Sequence, residues 1–320
     1  MYKKILLMTL FIATSSYCFI PPRNNIPLVY ELDTYERSAV SFWEKIFSQH
    51  SSHEIILHDS FNYVVYEVIS IPELKNELLS YHDKVKIKKE LSDKYKIKYS
   101  TMLRSIYEKL KTKEPLTFEE KYLQAKLANV TGGIEKYSYA SNMKRLRTQQ
   151  GQKDEVLKAY QRAAPYIKKI EEHFAAEEIP WEITRLPIIE SMFQEHAHSS
   201  AGAVGIWQLL KSTATKHLKF TPGYDPRKNP IKATYAAAKV LKHNYRKLQS
   251  WPLTILSYNI GRQGTLRAVQ DAGSTDLRTI VENHQHRTFG FSARNYFYEL
   301  LAIINVEKNF ETYFNQSLNL

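Results

Sequence analysis

A single glutamate, Glu190, stands among apolar residues in a setting that suits acid catalysis. Its neighbours include Pro187, Ile189 and Phe193. Burial among such side chains disfavours the carboxylate and raises its pKa towards the range in which a general acid works. Pro187 either begins or kinks a helix, and in both cases it stiffens the backbone before the acid. Taken alone, a glutamate in an apolar run is more often a helix residue at a buried margin.

Two segments further along the chain supply partners for such an acid. Residues 199–205, Ser-Ser-Ala-Gly-Ala-Val-Gly, form a turn of small residues where the backbone can approach a ligand closely. Gln208 follows, and its amide can hold a sugar hydroxyl or an acetamido group. Tyr258 and Asn259 lie side by side at the end of a helical run, before the helix-stop residue Gly261.

The order of these motifs resembles the lytic transglycosylases of the soluble-lytic-transglycosylase type, which share a fold with goose-type lysozymes. The family's catalytic Glu-Ser matches Glu190-Ser191. Its Gly-Leu-Met-Gln element matches residues 205–208, in the Gly-Ile-Trp-Gln form often found in the membrane-bound lytic murein transglycosylase D branch. Its Ala-Tyr-Asn matches residues 257–259, with Ser in place of Ala, and its Tyr-Asp-Pro matches residues 224–226. The resemblance covers about residues 155–306, and several ordered motifs make it specific where one would be weak.

The resemblance implies a fold and a reaction. The fold is an all-α, lysozyme-like catalytic domain over residues 151–320, after a mainly helical region over residues 19–150 whose role is open. The partner is the glycan strand of peptidoglycan, cleaved between N-acetylmuramic acid and N-acetylglucosamine. Glu190 protonates the glycosidic oxygen, and the substrate's acetamido group stabilises the cationic intermediate. Glu190 then takes a proton from the muramyl 6-hydroxyl, which closes a 1,6-anhydro product. No cofactor is implied.

The same resemblance assigns six residues to substrate binding. They are Ser191, Gly205, Gln208, Tyr258, Asn259 and Tyr296. Ser191 is expected to hydrogen-bond the acid, Tyr258 and Asn259 to hold the intermediate and the sugar, and Gln208 to bind the glycan. Tyr296 corresponds to a late tyrosine that lines the family's cleft. The sequence departs from the family at Lys211, where proline is usual, and it carries no LysM-type repeat.

Two alternatives to the lytic reaction stay open at this point. One is a lysozyme-type hydrolase of the same bond, in which water attacks, and the other is an inactive wall-binding scaffold. A hydrolase commonly uses a second carboxylate. Glu182, Glu195 and Asp225 lie near Glu190 in the sequence, but no motif marks any of them as its partner. Internal or chain-end action, the preference for N-acetylated glycan and the oligomeric state also stay open.

The composition favours a helical protein with an anionic partner outside the cytoplasm. Only 10 of 320 residues are Gly, fewer than β-rich or dinucleotide-binding folds need, and the net charge is +12. A signal peptide over residues 1–18 is predicted from a positive start at residues 3–4, an apolar run at 5–12 and small residues at 13–16. The alternative is an ordinary N-terminal helix. Export excludes nucleic acid as the natural partner. We expect a periplasmic or outer-membrane-associated protein, with secretion and a lipid anchor at Cys18 as alternatives.

Coarser patterns predict the elements that position the site. Residues 55–69 look like a short strand pair or buried helix, and residues 72–110 have helical spacing. Residues 156–176 predict one long amphipathic helix, and the polar residues 149–152 predict a domain boundary near 150. Three further helices are expected at residues 213–218, 233–248 and 253–258. The pairs His196/His198 and His284/His286 lack the other ligands of a metal site, so no metal is expected.

Overall fold

Helices make up most of the chain, which confirms the all-α class. The computed structural model describes residue 28 and residues 30–287, 289–318 and 320, so the predicted signal peptide and Cys18 lie outside the described residues. The helices are α1 (Thr34–Ser48), α2 (Tyr81–Thr112), α3 (Phe118–Lys126), α4 (Glu135–Ala140), α5 (Lys153–Ala163), α6 (Ile167–Ala176), α7 (Leu186–Ser191), α8 (Lys211–Ala214), α9 (Pro230–Leu248), α10 (Trp251–Ile260), α11 (Arg262–Ala272), α12 (Leu277–Asn283), α13 (Phe291–Lys308) and α14 (Phe310–Phe314). The strands are β1 (Glu54–Asp59), β2 (Val65–Ser70), β3 (Leu146–Gln150), β4 (Ala203–Val204) and β5 (Leu209–Leu210). No described helix is both long enough and apolar enough to span a bilayer.

The first three strands form one antiparallel sheet in the order β2-β1-β3. The strand pair expected at residues 55–69 is therefore confirmed. The third strand was not expected, because its sequence Leu-Arg-Thr-Gln-Gln is polar and lies at an edge, where only one side needs a partner. Gln149 and Gln150, interpreted as a break, pair with β1 instead.

The sheet lies between two apolar cores, because successive side chains of a strand point to opposite faces. Ile55 and Leu57 of β1 pack into a smaller core with α2, α3 and α4. Ile56 belongs to the larger core, and the ring of His58 contacts Phe42 of α1 and Phe291 of α13. The central strand is consequently buried on both faces.

The larger core contains α1 together with the elements that follow residue 150. Trp43 Nε1 of α1 donates a 2.7 Å hydrogen bond to Asn295 Oδ1 of α13. The Tyr298 hydroxyl of α13 donates to Glu36 Oε1 of α1 at 3.1 Å. Side chains from both sides of residue 150 thus build this core, while the division of the chain into two domains there stays a prediction.

The expected long helix at residues 156–176 is wrong as one element. The structure has α5 up to Ala163 and α6 from Ile167, with Pro165 between them. Proline lacks the amide hydrogen and its ring clashes with the preceding turn, so it ends the first helix. The helical stretch expected from residue 72 begins with a 3-10 turn, and α2 begins only at Tyr81, where the Ser80 side chain caps it.

Candidate active site

The short helix α7 carries Glu190 in its last turn. Pro187 lies in its first turn, where a missing amide hydrogen costs nothing. Directly after the helix, Met192 and Phe193 have φ values of 49° and 58°, in the left-handed region that such side chains rarely adopt. The Arg162 guanidinium donates to the Met192 carbonyl at 2.8 Å. The helix therefore ends at a fixed point one residue beyond the acid.

A buried ion-pair cluster fixes the start of α7. Arg185, the residue before the helix, is fully buried. Its guanidinium contacts Glu307 of α13 at 2.5 Å and Glu171 of α6 at 2.7 Å. Breaking such a pair leaves an uncompensated buried charge, which typically costs 3–5 kcal/mol. The cluster consequently holds α7 against two longer helices.

Glu190 is half-buried, and its carboxyl group accepts a hydrogen bond from the hydroxyl of Tyr296 on α13. Burial raises the pKa of Glu190 from 4.5 to about 7, while the hydrogen bond from Tyr296 acts in the opposite direction. The apolar sequence around Glu190 predicts this direction. A carboxyl group with a pKa near 7 can both give and take a proton at neutral pH.

Tyr258 lies close enough to Glu190 to sense its charge. Burial, and then the charge of Glu190, raise the pKa of Tyr258 well above its usual value. Its hydroxyl donates to the Trp207 carbonyl at 2.8 Å. The Trp207 indole in turn donates to Thr234 of α9 at 2.8 Å. Helices α9 and α10 are thereby connected to the segment at residues 205–208.

The segment at residues 205–208 is the turn between β4 and β5. Gly205 has a φ of +80°, and a Cβ there would lie 2.0 Å from the Arg227 carbonyl oxygen, so only glycine fits. Gln208 also has a positive φ, and its side-chain amide donates to the Gly205 carbonyl at 2.9 Å. These contacts give Gly205 a role in shaping the turn that carries Gln208.

Two residues expected in the site are placed differently from the others. The Ser191 hydroxyl donates to the backbone carbonyls of Ile206 at 3.0 Å and Pro187 at 3.2 Å. It follows Glu190 on α7 and so points about 100° away around the helix. The hydrogen bond to the acid that was expected from Ser191 comes from Tyr296. Asn259 is exposed at the end of α10, and no hydrogen bond of its side chain involves the described residues.

Comparison with known proteins identifies the central part of the chain. Residues 165–281 match the family model described as Transglycosylase SLT domain. This part of the chain is therefore similar to the transglycosylase SLT domain. The match includes Glu190, Gln208 and Tyr258, and it ends before Tyr296 of α13.

Curated proteins are similar to parts of this chain. Membrane-bound lytic murein transglycosylase D of Escherichia coli (strain K12) is 31% identical over 158 residues, which are 48% of this chain and 33% of the relative. A putative tributyltin chloride resistance protein of Alteromonas sp. (strain M-1) is 33% identical over 113 residues, 34% of this chain and 54% of the relative. The chain thus spans between a third and about half of the length of these relatives.

Sequence reasoning missed a second carboxyl group close to Glu190. Glu299 follows Tyr296 by three residues on α13, so both lie on one face of the helix. Burial, and then the charge of Glu190, raise the pKa of Glu299 to about 8. Among the described residues its carboxyl has no hydrogen-bond partner. The spacing from Tyr296 was the only signal in the sequence, since Glu299 lies far from the other motifs.

Two of the acids that lie near Glu190 in the sequence contact other residues. Glu195 accepts a 2.6 Å hydrogen bond from the Tyr166 hydroxyl. Asp225 forms a 2.6 Å ion pair with Arg227, which lowers the pKa of that carboxyl. The histidines do not form a metal site within the described ranges, where no three ligating side chains converge. His284 instead lies 2.9 Å from the Asp271 carboxylate.

Proposed function

We propose that the protein is a peptidoglycan lytic transglycosylase in which Glu190 acts first as the acid and then as the base. The observation that carries the proposal is the environment of the Glu190 carboxyl. Burial raises its pKa to about 7, and it accepts a hydrogen bond from the Tyr296 hydroxyl. The SLT domain and a relative named lytic murein transglycosylase D support the same reaction class.

The proposed reaction has two steps that share one carboxyl group. Protonated Glu190 gives its proton to the glycosidic oxygen as the bond to C1 of the muramyl sugar breaks. The acetamido oxygen of that sugar bonds to C1 and spreads the positive charge. Glu190, now a carboxylate, takes the proton of the 6-hydroxyl, whose oxygen displaces the acetamido oxygen at C1. The acid is restored, and no water is consumed.

Four residues around the acid are proposed to serve these steps. Tyr296 donates to Glu190 and so stabilises the carboxylate formed after the first proton transfer. Tyr258 and the exposed Asn259 are proposed to contact the sugar and the intermediate. Gln208 is held by the turn at residues 205–208 and is proposed to bind the glycan.

A cavity of about 540 Å³ adjoins the end of α7 and is proposed to take part of the glycan strand. The ring of Tyr166 stacks on Phe193 in its wall, with the ring centroids 6.2 Å apart. Arg162 and Gln194 add polar groups to the same wall. Aromatic faces with nearby hydrogen-bonding groups suit a sugar, which has apolar ring faces and polar edges.

The second candidate function is that of a lysozyme-type hydrolase. The presence of Glu299 close to Glu190 is the observation that favours it. Glu299 supplies the second carboxyl that a hydrolase commonly needs. It must be ionised to activate water, however, and its pKa of about 8 keeps it protonated at neutral pH. A neutral Glu299 supplies no base for water, which leaves the Glu190 carboxylate as the proposed base for the attacking hydroxyl.

The proposed place of action is the periplasm or the outer membrane. A relative carries "membrane-bound" in its name, and the net charge of +12 suits attraction to an anionic wall polymer. The signal peptide over residues 1–18 and the anchor at Cys18 stay predictions. Labelling of the expressed protein with a radioactive lipid precursor, with Cys18→Ala as the control, tests the anchor.

Mass spectrometry of the products from purified sacculi tests the reaction. The lytic product contains 1,6-anhydro-N-acetylmuramic acid and is one water lighter than the hydrolytic product. We expect Glu190→Gln to lose about 10²–10⁴-fold in rate, the usual contribution of general acid–base catalysis. Glu172→Gln, which neutralises an exposed carboxylate on α6, is the matched control. Reducing muramic acid without an anhydro form would establish the hydrolase instead.

A further inference from the structure

A second cavity, of about 300 Å³, lies where the amino-terminal sheet meets α12 and α13. Its walls include Phe61 from the turn between β1 and β2, Arg145 just before β3, Arg278 of α12 and Arg294 of α13. Three guanidinium groups and the carboxylate of Glu282 thus line one cavity. None of these residues belongs to the acid site around Glu190.

Two of the three arginines are neutralised by nearby carboxylates. Arg145 contacts both oxygens of Asp59, with its nearest approach at 3.0 Å. Arg278 pairs with Asp33 at 3.3 Å and with Glu282 on its own helix. Their positive charges are therefore largely compensated within the protein.

The third arginine, Arg294, has no such partner. Within the described part of the chain its side chain makes no ion pair and no hydrogen bond, and its Nε is shielded from solvent without an acceptor. Its guanidinium lies 5.4 Å from the centre of the Phe61 ring, an arrangement that holds the group in place. Buried donors in folded proteins almost always have a partner. A cation left unpaired beside a cavity is a place for an anion.

We propose that this cavity binds a carboxylate of the peptide attached to the glycan strand, an inference that rests on the proposed function. A guanidinium group presents two parallel donors, which match the two oxygens of a carboxylate. Asn62 and Asn283 line the same cavity and offer amide donors, and the rings of Tyr35 and Phe61 offer apolar surface for the rest of a peptide. Inorganic phosphate shares the anionic chemistry, and the experiment separates the two.

The cavity and Glu190 lie on different faces of α13. Arg294 lies two residues before Tyr296, so its side chain leaves the helix about 200° around the axis from the hydroxyl that donates to Glu190. The Tyr35 hydroxyl lies 3.4 Å from that of Tyr63, which donates to Asn295 at 3.0 Å. A peptide held by Arg294 would thus extend around α13 from a glycan strand bound at Glu190.

The test compares cleavage of two substrates by the full exported chain. One is the purified glycan strand with its peptides, and the other is the same strand after an amidase has removed them. We expect Arg294→Gln to lower kcat/KM roughly tenfold on the peptide-bearing strand, mainly through KM, and to leave the peptide-free strand unchanged. Arg294→Lys keeps the positive charge, so its kcat/KM on the peptide-bearing strand should lie between those of the wild type and Arg294→Gln. Lys308→Gln removes one exposed positive charge from the same helix and should match the wild type.

The other outcomes separate a failure of this inference from a failure of the proposed function. An equal loss of kcat/KM on both strands would mean that Arg294 is only structural, and the melting temperature of Arg294→Gln would show this directly. If the wild type cleaves neither strand, the proposed function fails, and calorimetry with the isolated stem peptide then decides. Equal peptide binding by the wild type and Arg294→Gln would refute the site. Tighter binding of inorganic phosphate than of the peptide would assign it to a phosphate group.

Discussion

Replacing Glu190 by glutamine should stabilise the protein, and increasingly so as the pH rises. The folded protein keeps a proton on Glu190 up to a pKa of about 7, whereas an exposed glutamate releases it near 4.5. Because the folded pKa is raised, its contribution to stability is complete below pH 4.5 and is lost as the pH rises through 7. The difference between 4.5 and about 7 corresponds to about 3 kcal/mol of unfolding free energy. Glutamine is neutral in the folded and the unfolded protein, so the variant does not lose this free energy as the pH rises.

Urea unfolding of the wild type and Glu190→Gln at pH 4 and at pH 8 measures the effect. We expect the difference in unfolding free energy between the two proteins to change by about 3 kcal/mol in favour of the variant at pH 8. Glu299 titrates in both proteins, so its contribution largely cancels from the difference in unfolding free energy. Only the part that comes from its coupling to Glu190 remains. Glu172→Gln on the exposed face of α6 is the control.

A difference that does not change with pH would refute the reasoning, because it would mean that folding does not shift the titration of Glu190. A change of the opposite sign would mean that the carboxylate, rather than the acid, is the form that the fold favours. In either case the raised pKa could not explain a general acid at neutral pH, even if the variant were inactive.

Three further predictions concern the same site. Tyr296→Phe removes the hydrogen bond that lowers the pKa of Glu190, so the alkaline limb of the pH–rate profile should move to higher pH; an unchanged limb would contradict this. Glu299→Gln should keep the anhydro product and nearly the wild-type rate below pH 7, because the carboxyl is neutral there; loss of activity would reveal a base. Gly205→Ala should lower the unfolding free energy by more than Gly202→Ala does, in urea titrations. Both glycines have φ near +80°, a strain worth about 1–3 kcal/mol, but only Gly205 also faces a backbone oxygen.

The raised pKa of Glu190 was predictable from local sequence. The apolar residues around Glu190 belong to its own short helix and to the residues that follow, so the cause of its raised pKa is local. The turn at residues 205–208 was predictable for a similar reason, since glycine marks a positive φ. The family resemblance placed Tyr296 in the cleft, but its bond to Glu190 joins residues 106 positions apart and needed the fold.

The errors also have physical causes. One long helix was expected at residues 156–176 because the apolar spacing continues across Pro165. The helix ends there because proline has no amide hydrogen to donate. Strand β3 is polar, so only its pairing with β1 reveals it. The hydrogen bond expected from Ser191 to Glu190 goes to a backbone carbonyl instead, because side chains of consecutive helix residues point in different directions. A sequence motif does not show these directions.

The candidate site extends beyond the residues that match the SLT family model, as helix α13 shows. The family match ends at residue 281, yet α13 donates the hydrogen bond to Glu190 and carries the second carboxyl, Glu299. The same helix packs along α1, where Trp43 is bonded to Asn295. A chain shortened to the family match would therefore lack both the Tyr296 hydroxyl that lowers the pKa of Glu190 and the helix that packs against α1.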